Sequence, residues 1–322
     1  MKLRAIRFAA LGLVSLLAFP ASAQLRSQPV HIIFPFAAGG SADALTRIIA
    51  DELSTGLGRP VIVEPRPGAA GRIGVQAVKS AEPDGNTLLM APIAPMVVYQ
   101  NIYPALEYDP VKDFRPVSQL ATYEFGIAVG NNVPVKTLAE LVAWIRANPV
   151  RANYGTPGAG TLPHFFGVMF SGAIGVPLQQ IAYKGTAPAL TDLVSGQIPI
   201  MFHAVNELVE MHKAGKIRVL ATSDKTRSAF LADVPTFREA GYALEGTGWY
   251  GLFAPARTPD EIVAQINAIV VATLAKSGIR ERILVLGVQP TGTSPTALAL
   301  VQREDIDRWA PAVKASGFAP SQ

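Results

Sequence analysis

Pro29-Val30-His31-Ile32-Ile33-Phe34-Pro35-Phe36-Ala37-Ala38-Gly39-Gly40-Ser41-Ala42-Asp43 decides how the rest of the chain is read. Val30, Ile32, Ile33 and Phe34 form an apolar run of buried-strand length. Gly39 and Gly40 follow; without a Cβ they let the backbone turn and approach a ligand. Ser41 suits a helix N-cap, and Leu45, Ile48, Ile49 and Leu53 recur at the spacing of a buried helix face. The first amides of such a helix have no partner within it. Together with the positive end of the helix dipole they make a cradle for a carboxylate or similar anion. Taken alone, the stretch fits a plain strand-loop-helix corner of an α/β core equally well.

The chain of 322 residues suits two domains. At 49% hydrophobic and 16% charged it is globular and can bury a large core. Residues 1–23 read as a secretory signal: Lys2, Arg4 and Arg7, then an apolar run from Phe8 to Phe19, then Ala21-Ser22-Ala23 as cleavage site. The apolar run is too short for a comfortable membrane span. Cleavage removes three basic residues, so 28 basic against 24 acidic side chains becomes 25 against 24. That near-neutral balance, with no basic stripe, leaves no electrostatic footprint for nucleic acid, and no nucleic-acid partner is expected. Cysteine is absent, which excludes disulfides, thiolate metal sites, a cysteine nucleophile and a lipid anchor on an N-terminal cysteine. A secreted, unanchored, cysteine-free chain fits the periplasm.

Further strands are expected at Pro60 to Glu64 and Thr87 to Met90, with a glycine-rich loop, Arg66 to Gly71, between them. Alternation of strands and helices predicts a mostly parallel sheet, with ligands beyond the carboxyl ends of its strands. That places the loop from Ala91 to Pro95, including Ala91 and Ala94, beside the opening loop. From Val117 to Val129 the pattern is a strand pair broken near Tyr123-Glu124. A helix over Thr137 to Ala147 follows.

Asn153-Tyr154-Gly155-Thr156-Pro157-Gly158-Ala159-Gly160-Thr161-Leu162-Pro163-His164 repeats the opening grammar of strand, small-residue loop, hydroxyl cap and helix. Two such helix starts predict two lobes, each aiming an amide nest at one cleft. Crossings near 124 and 248 fall on strand-like sequence and read as hinges, giving one lobe of 24–124 plus 249–322 and another of 125–248. The second lobe adds Lys184-Gly185-Thr186 and a strand, Ile198 to Phe202, ending at His203. A last helix runs from Pro295 to Ala310.

Gly246-Thr247-Gly248-Trp249-Tyr250-Gly251 matches the dinucleotide fingerprint in form, but an apolar strand follows it instead of a helix. Gly215-Lys216 is followed by Ile217, so no phosphate-binding loop of the Walker type exists. His31, His164, His203 and His212 are scattered, and no metal or cofactor is expected; each histidine reads first as a hydrogen-bonding side chain. His164 and His203 fall at ligand-edge positions. Ser41 lacks the Gly-x-Ser-x-Gly elbow of a hydrolase, and capping explains it without catalysis. Asp43 would repel an anion, so it reads as occupied with backbone amides near the cap, or in contact with a ligand hydroxyl, amine or water. Lys184 is the one cation close to a candidate loop, and a solvated loop lysine is an equal reading.

The stretches Pro35 to Asp43, Glu64-Pro65-Arg66-Pro67-Gly68-Ala69-Ala70-Gly71, Pro83-Asp84-Gly85-Asn86-Thr87-Leu88-Leu89, Tyr183 to Leu190 and Val234-Pro235-Thr236 resemble the Bug family. These are the extracytoplasmic solute receptors of tripartite tricarboxylate transporters, and the resemblance covers nearly the whole mature chain in order. It implies a type II periplasmic binding fold, two α/β lobes joined by strand-like hinges with a ligand cleft between them. It also implies no enzyme, but a monomer that captures a dicarboxylate, tricarboxylate or aromatic acid and delivers it to a membrane permease. Carried over by position, the first-lobe ligand loop is Phe36 to Asp43, with Phe36, Ala38, Gly39, Gly40, Ser41 and Asp43 as candidates. The second-lobe loop offers Thr156, Gly158, Gly160, Thr161 and His164, and the neighbouring loops offer Ala91, Ala94, Lys184, Gly185, Thr186 and His203. Phe36, Ile93 and Phe202 are expected as apolar walls. The chain departs from the family pattern at Pro65, where an Asn is common, in the low serine content of Thr156 to Thr161, and at His203, where many members carry Asp. His203 should favour a more acidic ligand, or remove a partner for an amino group. Two other readings stay open: an oxyanion receptor of the same fold for phosphate or sulfate, and a secreted serine hydrolase using Ser41.

Overall fold

The computed structural model describes residues 28–36, 38–183 and 186–319. The signal segment 1–23 and the candidates Lys184 and Gly185 lie outside the described residues.

The first unit is β1 (Val30–Phe34), α1 (Ser41–Leu57), β2 (Val61–Pro65), α2 (Arg72–Lys79) and β3 (Thr87–Pro92). The apolar strand and helix faces meet as their spacing requires: Val30, Ile32 and Phe34 pack with Leu45, Ile48, Ile49 and Leu53. β4 (Phe114–Gly130) then runs as one strand of 17 residues. The expected break at Tyr123-Glu124 is instead a change of partners. Up to Glu124 the strand pairs with β9 (Thr247–Pro255), and from Phe125 it pairs with β7 (Ile200–Ala204). Polar residues at the junction mimic a turn in the sequence pattern; the backbone stays extended because partners on both sides satisfy its amides.

The second unit repeats the plan with α3 (Leu138–Ala147), β5 (Asn153–Thr156), α4 (Leu162–Ile174), β6 (Gln179–Ala182), α5 (Thr186–Ser195), β7, α6 (Val205–Lys213) and β8 (Ile217–Thr222). After β9 the chain returns through α7 (Asp260–Ala275), α8 (Ser277–Val285), β10 (Gln289–Pro290) and α9 (Pro295–Ser316). Strand order is β2-β1-β3-β9-β4-β7-β5-β6, with β8 and β10 also on β4. Each lobe thus holds a parallel trio and an inserted antiparallel strand that comes from the other lobe.

The sheet is therefore mixed rather than mostly parallel: β9 is antiparallel to β3 and β4, and β7 and β8 are antiparallel to β4. The crossing strands must run against their neighbours because each enters from the opposite lobe. The loop expected at Ala91 to Pro95 is also different. β3 continues to Pro92, and Ala94–Val98 forms one wide helical turn.

α9 extends to Ser316, past Pro311 and the expected end at Ala310, because Ala312 and Val313 are buried beyond that end. This helix joins the lobes. Gln302 Nε2 donates to the carbonyls of Met96 and Pro110 in the first lobe, each at 2.9 Å. Trp309 sits edge-on to Phe125, and Phe125 stacks on Phe166 of α4 at 5.7 Å. One apolar core therefore runs through both lobes on this side.

Candidate functional site

Strand directions place the loops. β1, β3 and the first half of β4 point the same way, and β5, β6 and β7 point against the second half of β4. Their carboxyl ends therefore approach the Glu124-Phe125 junction from opposite sides. Pro92 lies level with Ala121 through Tyr250, and Ala204 pairs with Phe125. The α1 and α4 starts follow β1 and β5, so both helix N-termini face the same junction.

The two loops share a local device. The Gly39 amide donates to Asp43 Oδ2 at 3.1 Å, and the Gly160 amide donates to His164 Nδ1 at 3.1 Å. Both glycines have positive φ, 108° and 72°. Each turn is thus closed by a side chain four residues on, in the first turn of its helix. Asp43 is buried and also holds Arg47 through two hydrogen bonds. His164 is buried, and burial lowers its pKa, which keeps Nδ1 an acceptor.

Ser41 is not the N-cap: Gly40 holds that position and Ser41 is the first helical residue. A glycine cap in extended conformation leaves the Ser41 hydroxyl free to reach the Tyr250 phenol, where it opposes the upward pKa shift caused by burial. Thr161 does cap α4, but its hydroxyl donates back to the Gly158 carbonyl at 2.8 Å rather than accepting a helix amide. Thr156 is fully buried; its hydroxyl donates to Gly158 O and accepts from Gln180 Nε2. Ala38, Gly39 and Gly40 are exposed, and the first amides of α1 open beside them.

Phe36 turns back over Gly71, where an added Cβ would meet its ring at 2.9 Å. Ile93 and Phe202 are core residues with no exposed surface, not walls of a cleft: Ile93 opens the helical turn after β3, Phe202 lies within β7, and both pack into the same apolar core. Ala91 is equally buried, while Ala94 is half-buried. Thr186 and His203 are joined, Oγ1 to Nε2, at 2.9 Å. Burial pulls the His203 pKa down to about 4, so it brings no positive charge.

The sequence marks Tyr123-Glu124 only as a strand break at a crossing, and it marks neither Glu207 nor Tyr250 as a site residue. Tyr123 and Tyr250 face each other at 5.2 Å, and the Glu207 charge reaches Tyr250 from the second lobe. The signal was the Gly246 to Gly251 run. Gly248 is small because the Tyr123 ring covers it: a Cβ there would lie 2.1 Å from Cζ. Glu124 is buried, and burial pushes its carboxyl up to about 7 against a hydrogen bond from Ser228; Oε2 has no partner among the described residues. No group of three or more His, Asp or Glu among the described residues could hold a metal ion. None of the described helices is by itself long and apolar enough to cross a membrane.

This geometry, two pseudo-equivalent α/β lobes with paired helix starts over a strand junction, defines a two-lobed periplasmic solute-binding protein. Residues 45–318 match the model of the tripartite tricarboxylate transporter family receptor, and the chain belongs to that family. A UPF0065 protein of Bordetella bronchiseptica is 36% identical over 86% of this chain and 82% of its own length. An R. palustris protein solved with adipate is 31% identical, with TM-score 0.78 over 91% of this chain and 98% of that one. MatC from Rhodopseudomonas palustris, solved with bound malate, is 31% identical, with TM-score 0.73 over 92% of this chain and all (100%) of that one. The family is one of solute receptors in the periplasm, and carboxylates occupy these two neighbours.

Proposed function

We propose that this protein captures a small carboxylate between its lobes and delivers it to the permease of a tripartite tricarboxylate transporter. The observation that carries the reading is the matched pair of loops, Gly39 with Asp43 and Gly160 with His164, at helix starts facing one junction. The first α1 amides and the Ser41 hydroxyl hold one carboxylate group. The Thr161 helix start and the Thr186 hydroxyl meet the ligand from the other lobe. Hydrogen bonds to a charged group contribute about 1.5–3 kcal/mol each. Three or four of them, less desolvation and ordering, reach the roughly 8 kcal/mol of micromolar binding. A ligand touching both lobes favours the closed state over the open one. Ser41 faces a phenol, not an imidazole base, which supports a receptor over a hydrolase.

A melting screen of the mature protein with adipate, malate, succinate, benzoate and phosphate tests this. Ligand at a hundred times Kd adds about 2.7 kcal/mol of stability, a shift easily read. A rise with one of the acids and none with phosphate is expected. A rise with phosphate alone would overturn the carboxylate reading.

A further inference from the structure

His203 has a fixed hydrogen-bonding sense. The Ala204 amide donates to His203 Nδ1 at 2.7 Å, so Nδ1 carries the lone pair. The neutral ring then carries its hydrogen on Nε2. Nε2 lies 2.9 Å from Thr186 Oγ1, so the imidazole donates and the hydroxyl accepts. The Thr186 hydrogen cannot point back at a donor, and it must turn elsewhere. Thr186 is half-buried and opens α5, just beyond the end of β6; Ala182 at that end pairs with Thr156. The hydroxyl therefore stands beside the second-lobe loop.

We infer that His203 is a positioning residue: through Thr186, and without touching the ligand, it sets a hydroxyl as hydrogen-bond donor toward the cleft and so favours a ligand end that only accepts, such as a carboxylate. The inference deepens the carboxylate reading above and rests on it. His203 and Thr186 then work as one unit. Removing either member removes the same contribution, and removing both removes it once.

The test measures adipate and malate affinity by calorimetry for the full mature protein and for His203→Met, His203→Gln, Thr186→Val and the double variant His203→Met/Thr186→Val. Methionine fills the site without a hydrogen bond; glutamine can accept from Ala204 and donate to Thr186. Expected are losses of about tenfold in His203→Met, in Thr186→Val and in the double variant alike, with near-native affinity in His203→Gln. Ring nitrogen NMR of ligand-free protein should find His203 protonated on Nε2 alone at neutral pH. A ring protonated on Nδ1 would overturn the inference, as would wild-type affinity in His203→Met or multiplying losses in the double variant. If the parent protein binds neither these two nor any other acid of the melting screen, the carboxylate reading falls and takes this inference with it. If it binds them and the variants do not behave as one unit, this inference alone falls.

Discussion

The Gly160 amide donates to His164 Nδ1 across one turn of chain, at the same 3.1 Å that separates the Gly39 amide from Asp43. An imidazole in one lobe does the work of a carboxylate in the other. What both positions require is an acceptor of about that reach, aimed back at a glycine with positive φ. His164→Asn offers such an acceptor and should keep ligand affinity within about threefold, as the closing bond survives. His164→Ala removes it. Affinity for the bound acid should then fall about tenfold, and ligand-free stability should drop by about 1 kcal/mol in urea. Equal behaviour of the two variants would count against the closing role.

Phe318 lies across Gly160: a Cβ built on that glycine would meet the ring at 2.3 Å. The same ring stands edge-on to His164. Gly160→Ala therefore carries two penalties, a strained backbone and a displaced ring. A cost of about 2 kcal/mol is expected in urea denaturation. Adding Phe318→Ala should relieve the overlap but not the strain, so the second change should recover part of the loss. Simple addition of the two costs would argue that the ring does not rest on the loop.

Much of this architecture could be read from residue order, and the reasons for the failures are physical. Val30 to Phe34 and Leu45 to Leu53 announced a strand and a helix because both faces obey their periods. The mixed sheet was hidden because direction leaves no mark on a buried strand: β9 and β4 are buried over most of their length whichever way they run. Ser41 looked like a cap because its hydroxyl suits one, yet Gly40 takes the extended position and Ser41 turns to Tyr250. Ile93 and Phe202 looked like cleft walls because they adjoin loops; their side chains point into the core. The meeting of Tyr123 and Tyr250 was hidden because strand pairing brings them together over a long chain distance, which no local pattern records.

Two buried groups predict opposing responses to pH. His203 has its pKa pulled from 6.5 down to about 4 by burial. Between these values the unfolded chain binds a proton that the folded chain refuses, so stability falls as pH drops through that window. Glu124 has its carboxyl pushed by burial from 4.5 up to about 7. There the folded chain keeps a proton that the unfolded chain releases, so stability falls as pH rises through that range. Glu124→Gln should remove the second slope and leave the first. Urea unfolding followed across pH from about 4 to 8 checks this; an unchanged slope near neutrality in Glu124→Gln would reject the assignment.

Ser223 fastens the two crossings to each other. Its hydroxyl accepts the Phe125 amide at 2.8 Å and donates to the Gly246 carbonyl, and its own amide and carbonyl bond Phe125 O and Gly246 N. Phe125 belongs to β4 where it enters the second lobe, and Gly246 directly precedes β9 where the chain returns. The serine is fully buried, so water cannot replace its hydroxyl. Ser223→Ala would strand a buried amide hydrogen and a carbonyl together, at a cost of about 1–3 kcal/mol. Ser223→Thr keeps the hydroxyl and should lose less, limited by the space for one methyl group. The bonds lie where β4 and β9 pass between the lobes, so their loss should also loosen one lobe against the other. Affinity for the acid should fall in Ser223→Ala by more than in Ser223→Thr, with the difference tracked by calorimetry beside urea unfolding. If alanine costs less than about 0.5 kcal/mol and leaves affinity alone, the crossings are held by strand pairing and the serine merely fills space between them.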